Sequence, residues 1–287
     1  MTFCGGIDEA GYGAVLGPLV HGGVAARDGC NWQAMMADAG IRIGDSKRIY
    51  RGGDGVGQLE RAALFAARLS GWTGSDLKSF LSSVCGPEAA SIIGRWPPTA
   101  EPVGLPLFGR EPIIPPVMPG FQLYARVTMP GHFNSMLARW NKSELAMNRL
   151  HGIVGRMLRD FGQEGELIVD RQGGRAFYSA FLYSKFPRDF PMTVSESSER
   201  SDYQVGGLRI SFLVRSEEES PPVALASMTA KYVRELYMNA FNRHWKNLIP
   251  TVTPTAGYPE DGKRFFGEIS GVLSDSGIAA DEVFRRK

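Results

Sequence analysis

The chain has 287 residues, 43% of them hydrophobic and 22% charged, a balance that is typical of a globular protein and excludes a mostly disordered or collagen-like chain. Lys and Arg total 32 against 30 Asp and Glu, so the net charge of +2 neither supports nor excludes a nucleic-acid partner. No apolar run approaches the roughly 20 residues of a membrane helix, and the three cysteines include no CxxC pair. We therefore predict a cytoplasmic protein with reduced thiols and no membrane span.

The first predicted elements form a hairpin. The apolar run 3–9 ends in two acids and predicts a buried strand. A Gly-Tyr-Gly turn follows, after which residues 14–26 are expected to form the second strand. Apolar residues at helical spacing predict a helix over 58–69, and Ser75 is the expected N-cap of a further helix.

Prolines mark an unusual segment in the middle of the chain. Eight of the 18 prolines lie between residues 96 and 120, where neither a helix interior nor a central strand is compatible with them. We predict an extended Pro-rich insertion over about 86–128, within which the alternating pattern of 121–128 indicates a strand.

The second half of the chain alternates helices and strands. Apolar positions on one face predict a long helix over 143–161, and 166–170 is a short apolar strand that ends in an acid. Further strands are expected near 192–196 and 208–215, followed by a helix over 222–245.

These elements predict an α/β fold, with a mixed sheet flanked by helices. We expect one domain over 1–245, which includes the insertion, and a small helical C-terminal segment over 246–287.

Two of the predicted strands end in carboxylates, Asp8-Glu9 and Asp170. Such acids can be helix caps or surface groups at a sheet edge, or both strands can bring them to one edge to hold Mg²⁺ or Mn²⁺, which prefer oxygen ligands. Adjacent strand residues point to opposite faces, so Asp8 and Glu9 share a site only where the chain leaves regular strand geometry. The glycines that follow allow this, but their spacing does not match a dinucleotide-binding loop.

Five segments resemble, in the same order, the motifs of the type 2 ribonucleases H (ribonuclease HII and its eukaryotic and HIII relatives). They are 6–13 (GIDEAGYG), 45–47 (DSK), 169–173 (VDRQG), 226–235 (ASMTAKYVRE) and 257–259 (GYP). The resemblance implies a ribonuclease H-like fold and an endonuclease that cleaves RNA in RNA–DNA hybrids or ribonucleotide-containing duplexes, leaving 3′-hydroxyl and 5′-phosphate ends.

The same resemblance implies catalytic and metal-ligand roles for Asp8, Glu9, Asp170 and Glu235. The last position is Asp in most ribonucleases HII and Glu in the HIII branch. Four crowded carboxylates repel one another, and two Mg²⁺ or Mn²⁺ ions would bring the cluster to neutrality.

Substrate-binding roles are also implied by the resemblance. They fall on Gly11, Tyr12, Gly13, Ser46, Lys47, Lys231 and Tyr258. Tyr12 stands where the family has Arg or Lys, and a phenol cannot neutralise a phosphate. Tyr258 matches a tyrosine that stacks on the nucleotide beside the cut, and its alternative interpretation is an ordinary core tyrosine. Lys47 is expected to contact phosphate and Lys231 to order the edge of the site.

Two other functions remain open from the sequence: a catalytically weak or inactive nucleic-acid-binding relative, and a two-metal nuclease that acts on structured DNA. Glu217-Glu218-Glu219 is interpreted as a solvated run, although Glu217 aligns with an acid of the family. The basic residues 285–287 are interpreted as an ordinary surface tail, with nucleic-acid binding as the alternative, and the four histidines as surface or packing residues.

Overall fold

A computed structural model describes residues 2–44, 55–98, 102–109, 114–273 and 275–286. Its strands are β1 (Phe3–Ala10), β2 (Leu19–Arg27), β3 (Phe121–Thr128), β4 (Gly165–Asp170), β5 (Met192–Glu196), β6 (Arg200–Val205) and β7 (Leu208–Leu213). Its α-helices are α1 (Trp32–Asp38), α2 (Gly55–Leu69), α3 (Leu77–Cys85), α4 (Ala89–Ile93), α5 (Pro130–Met136), α6 (Lys142–Phe161), α7 (Ser179–Lys185), α8 (Ser216–Glu219), α9 (Pro221–Leu248), α10 (Pro259–Leu273) and α11 (Ala280–Val283).

The strands form one mixed sheet in the order β3-β2-β1-β4-β7-β6-β5. The predicted hairpin is confirmed, because β1 and β2 pair antiparallel. Strand β4 is parallel to both β1 and β7, whereas the other neighbouring strands are antiparallel. The predicted mixed sheet flanked by helices is therefore confirmed.

Helices cover both faces of the sheet, since successive strand residues point in opposite directions. Val24 and Leu123 face a core that includes apolar residues of α2, α3 and α9. Their neighbours Ala25 and Tyr124 face a second core formed with α6 and α7. The sheet thus lies between two helical layers.

Helix α9 lies unusually close to the first two strands. A Cβ atom at Gly22 would clash with the Ala226 carbonyl oxygen, and one at Gly6 would clash with the Val223 nitrogen. Only glycine permits this approach without a shift of the backbone. The close contact brings the first turns of α9 against the carboxyl end of β1.

The structure changes several boundaries of the predicted elements. Strand β2 begins at Leu19, because Gly17 has a φ of +74° and Pro18 lacks an N–H for regular pairing. Strand β6 was not predicted, since its sequence RSDYQV is short and largely polar. Asp76 rather than Ser75 caps α3, and its Oδ1 accepts a hydrogen bond from the Ser79 amide at 2.9 Å.

The predicted Pro-rich insertion includes an integral part of the fold. Strand β3 pairs with β2 along its whole length, so residues 121–128 belong to the central sheet. Residues 107–109 are attached to α2 through backbone hydrogen bonds to the buried Glu60 carboxylate. Helix α9 extends to Leu248, and two further helices form the C-terminal part. The division of the chain near residue 245 stays a prediction.

Among the helices of the described residues, none combines the length and the apolar character needed to cross a membrane.

Candidate active site

The register of two parallel strands brings the predicted acids together. The last aligned pair of β1 and β4 is Ile7 and Val169, so Asp8 and Asp170 are the next residues along the two strands. Because parallel strands end at the same sheet edge, the two carboxylates are placed side by side there. Asp8 and Asp170, which the sequence analysis selected as acids at strand ends, are therefore neighbours in the fold.

Burial and mutual repulsion dominate the electrostatics of this edge. Asp8 is only 6% exposed, and burial together with the charge of Asp170 raises its pKa to about 7. The pKa of Glu9 is also raised, by burial and by the charges of Asp8 and Asp170. The Asp8 Oδ1 accepts a hydrogen bond from the Glu9 amide at 2.7 Å. The expected departure from strand geometry does not occur, because the regular pairing of β1 with β2 continues to Ala10, so Asp8 and Glu9 point to opposite faces of the sheet. The charges of Asp8, Glu9 and Asp170 nevertheless act on one another at this edge, and added positive charge would relieve their repulsion.

Gln172 holds Glu9, and sequence reasoning missed it. Its side chain is 1% exposed, and its Nε2 donates to the Glu9 carboxylate and, at 3.2 Å, to the Asp170 carbonyl oxygen. Its Oε1 lies 3.2 Å from the His21 Nε2. Burial lowers the pKa of His21 to about 3, so the ring is neutral and donates to this oxygen. The sequence signal was only the position of Gln172, two residues after Asp170.

The serine that begins α8 orients Asp170. The Asp170 Oδ1 accepts hydrogen bonds from the Ser216 amide at 3.0 Å and from its hydroxyl at 2.8 Å. Ser216 is fully buried, so these contacts are shielded from water. This residue had no distinguishing signal in the sequence.

Helix α9 adds a lysine and a hydrogen-bond network to the site. The charge of Lys231 opposes the rise in the pKa of Asp8. Lys231 Nζ donates to the Ser227 Oγ at 2.9 Å and lies 3.6 Å from the Glu217 Oε2, to which Ser227 also donates at 3.0 Å. Lys231 is therefore close enough to Asp8 for its charge to act on that carboxyl, and its role in ordering the edge of the site stays a prediction.

The interpretation of Glu217 as a solvated residue is wrong. Its side chain is only 11% exposed because it packs against Lys231 and Ser227. Glu218 and Glu219 are exposed, as the sequence suggested. The short helix α8 turns Glu217 towards Lys231 and leaves Glu218 and Glu219 exposed. A run of three identical residues has no periodicity from which this difference could be predicted.

Glu235 lies on the same helix as Lys231 and is half-buried. Four residues of α-helix correspond to about 6 Å along the axis and to nearly one turn, so the two side chains share a face of α9. Its role as a fourth ligand stays a prediction.

The Gly-Tyr-Gly turn and Tyr258 lie on neighbouring loops. Gly11 has a φ of +81°, and Tyr12 is half-buried. Tyr258 is 52% exposed, which is incompatible with an ordinary core tyrosine, and its ring lies 5.7 Å from the Arg234 guanidinium carbon. Ser46 and Lys47 lie outside the described residues.

The carboxylates have the right chemistry for a divalent cation, since hard cations prefer oxygen ligands and the repulsion within the group would be relieved. Glu9 is hydrogen-bonded to Gln172, and Asp170 to Ser216. Within the described ranges, no three His, Cys, Asp or Glu side chains are gathered into a metal-binding cluster. Ion binding would therefore require some of these hydrogen bonds to be exchanged for metal contacts.

Comparison with solved structures identifies the fold. The ribonuclease H2 of Pyrococcus horikoshii OT3 is 16% identical, over 98% of this chain and 92% of that chain, with a TM-score of 0.53. The RNase HII of Archaeoglobus fulgidus, solved with PCNA, is 18% identical over 99% and 94% of the chains, with a TM-score of 0.49. The RNase H3 of Aquifex aeolicus is 14% identical over 98% and 70%, with a TM-score of 0.45.

No family model matches the chain, and no curated protein matches it by sequence. The likeness to the Pyrococcus structure shows that the chain has the fold of the type 2 ribonucleases H.

Proposed function

We propose that this chain is a metal-dependent endonuclease that hydrolyses RNA in RNA–DNA hybrids or in duplexes containing ribonucleotides. The observation that carries the proposal is the meeting of three carboxylates at one sheet edge, where Asp8 is buried, Glu9 and Asp170 are half-buried, and the pKa values of Asp8 and Glu9 are raised. The type 2 ribonuclease H fold supports the same conclusion.

Asp8, Glu9, Asp170 and Glu235 would hold Mg²⁺ or Mn²⁺, and ions bound there would supply an activated water and neutralise the leaving 3′-oxygen. Hydrolysis adds water to the phosphorus and breaks the bond to the 3′-oxygen, which takes up a proton. The products are a 3′-hydroxyl and a 5′-phosphate.

The surrounding residues prepare the carboxylates and the substrate. Gln172 and Ser216 fix the orientation of Glu9 and Asp170. The backbone of the turn at Gly11 and Gly13 is proposed to contact the ribose 2′-hydroxyl, and the exposed ring of Tyr258 to stack on a nucleotide beside the cut. Lys231 is proposed to keep the edge of the site ordered.

The test is cleavage of a labelled RNA–DNA hybrid, a duplex with a single ribonucleotide and an all-DNA duplex, each with Mg²⁺ or Mn²⁺. We expect cleavage of the first two substrates, and its loss in Asp8→Asn and Asp170→Asn, which should keep an equal or higher Tm in EDTA because repulsion is relieved. Asp275→Asn, which changes an exposed carboxylate, is the matched control.

Other outcomes of this experiment would assign a different function to the chain. Hybrid binding without cleavage would indicate an inactive nucleic-acid-binding relative, and cleavage of structured DNA alone would indicate a different nuclease. Near wild-type turnover in Asp8→Asn would refute the assignment of the site.

A further inference from the structure

Two cations from different elements lie near Tyr12, beside the carboxylate group. Lys142, the first residue of α6, places its ammonium 4.7 Å from the centroid of the Tyr12 ring. Arg175, in the loop after β4, donates from Nε to the hydroxyl of Ser143, which is the next residue after Lys142, at 3.1 Å. Arg175 and Lys142 therefore bring two positive charges close together near the neutral Tyr12 ring.

The Tyr12 ring connects these cations to the candidate active site. A Cβ atom at Gly173 would lie 3.1 Å from the Oη of Tyr12, so the loop after β4 packs directly on the ring. Tyr12 follows Glu9 by three residues, and the charges of Glu9 and Arg175 both act on its hydroxyl. The two cations thus lie near the same tyrosine on which the charge of Glu9 acts.

The surface arginines differ in whether they form ion pairs. Arg200, Arg264 and Arg286 each form an ion pair with a neighbouring acid. Within the described part of the chain, Arg175 makes no ion pair, as is also true of the exposed Arg139 and Arg188, and its side chain is held by the Ser143 hydroxyl. Lys142 carries a second positive charge nearby, and an anionic ligand bound between them would interact favourably with both.

We infer that Lys142 and Arg175 form a phosphate-binding pair that holds the sugar–phosphate backbone of the substrate strand beside Tyr12. This inference rests on the proposed function, since it assumes a nucleic-acid substrate. It also changes what is expected of Tyr12. Tyr12 itself carries no positive charge. Lys142 of α6 and Arg175 of the loop after β4 place positive charges near it instead.

The experiment measures binding of a labelled RNA–DNA hybrid in EDTA over a salt series, for the wild type, Lys142→Gln, Arg175→Gln and the double variant. Removing one phosphate-binding cation should reduce the slope of log K against log[salt] by about 0.9 and weaken binding by about 3- to 10-fold. The slope of the double variant should fall by about twice as much as that of either single variant.

Lys246→Gln removes an exposed lysine near the end of α9 and is the matched control. It should leave the slope unchanged. Lys142→Arg should retain both slope and affinity, because it keeps the charge, and an unchanged Tm for each variant shows that the fold is intact.

Unchanged slopes in Lys142→Gln and Arg175→Gln, with normal binding by the wild type, would overturn the inference and leave the proposed function standing. Failure of the wild type to bind or cleave any ribonucleotide-containing duplex would instead overturn the proposed function.

Discussion

Two kinds of buried carboxylate occur in this protein. Glu60 is fully buried, and it accepts hydrogen bonds from the amides of Leu107, Phe108 and Gly109 at 2.6–2.7 Å and from the Tyr232 hydroxyl at 2.9 Å. Asp8 is buried instead against the charge of Asp170, and its pKa rises. A buried carboxylate surrounded by donors stabilises structure, whereas buried carboxylates that face one another favour a bound cation.

Glu235→Gln tests the fourth predicted ligand. We expect loss of most hybrid-cleaving activity, because a neutral amide is a poor ligand for Mg²⁺ or Mn²⁺, with an intermediate rate for Glu235→Asp, which keeps the charge. Steady-state cleavage assays at saturating metal measure both variants. An unchanged rate in Glu235→Gln would assign the fourth ligand elsewhere, and Glu217 is the next candidate because it lies beside Lys231.

Glu60→Gln tests the structural carboxylate. The amide has one accepting oxygen in place of two and places an NH₂ group against backbone donors, so the free energy of unfolding should fall by about 3 kcal/mol. Tyr232→Phe removes one of the four hydrogen bonds and should cost about 1 kcal/mol. Urea unfolding measures both, and equal effects would show that the backbone contacts of Glu60 contribute little.

At the scale of elements, two buried arginines hold the loop between β1 and β2. Arg234 of α9 donates to the carbonyl oxygens of Leu16 and Pro18, each at 3.3 Å. Arg285, which is 1% exposed, donates to the carbonyl oxygens of Gly11 and Ala14. The interpretation of the C-terminal basic residues as a surface tail is therefore wrong for Arg285. The C-terminal segment supports the turn that is proposed to contact the substrate.

Arg285→Met is expected to destabilise the protein by about 2–3 kcal/mol, because it leaves buried carbonyl groups without their donor. Its neighbour Arg286 is exposed and paired with Asp281, so Arg286→Met should change stability by less than about 1 kcal/mol. Chemical denaturation gives both values. If Arg285 also positions the turn, KM for the hybrid should rise more than kcat falls, and an unchanged KM would restrict Arg285 to a structural role.

At the scale of the whole molecule, the site is assembled from distant parts of the chain. The acids come from β1 and β4, the lysine from α9, and the support for the turn from the C-terminal segment. A ligand that binds only this assembled arrangement stabilises the entire fold, because the site is lost on unfolding.

Divalent metal should therefore raise the Tm of the wild type. At an ion concentration of about 100 times Kd, binding adds about 2.7 kcal/mol, which corresponds to several degrees in Tm. Differential scanning calorimetry with Mg²⁺ or Mn²⁺, and after removal of the ion with EDTA, measures the shift. The shift should disappear in the Asp8→Asn, Asp170→Asn double variant and persist in Asp275→Asn. A shift of the same size in the double variant would locate the ions elsewhere.

Local sequence determined the features that depend on periodicity and on motif order. The amphipathic pattern of α6, the apolar runs of β1 and β4 and the acids at their ends could be read from the chain, and the mixed sheet followed from the order of the elements. Strand β6 could not be predicted, because its polar sequence has no strong alternation of apolar residues. The predicted start of β2 lies too early in the chain, because the apolar run extends through the loop before the strand.

Only the tertiary structure decided which side chains surround the acids. Gln172 and Ser216 contact them once the sheet has formed, and Glu217 packs against Ser227 and Lys231 of α9. Arg285 reaches the turn across 274 residues of sequence. No local pattern predicts these contacts, because burial, hydrogen-bond partners and the resulting pKa shifts are set by residues far apart in the chain. The sequence by itself determined the strands and their terminal acids, and the packing of the long helix against Gly6 and Gly22 determined the environment in which those acids lie.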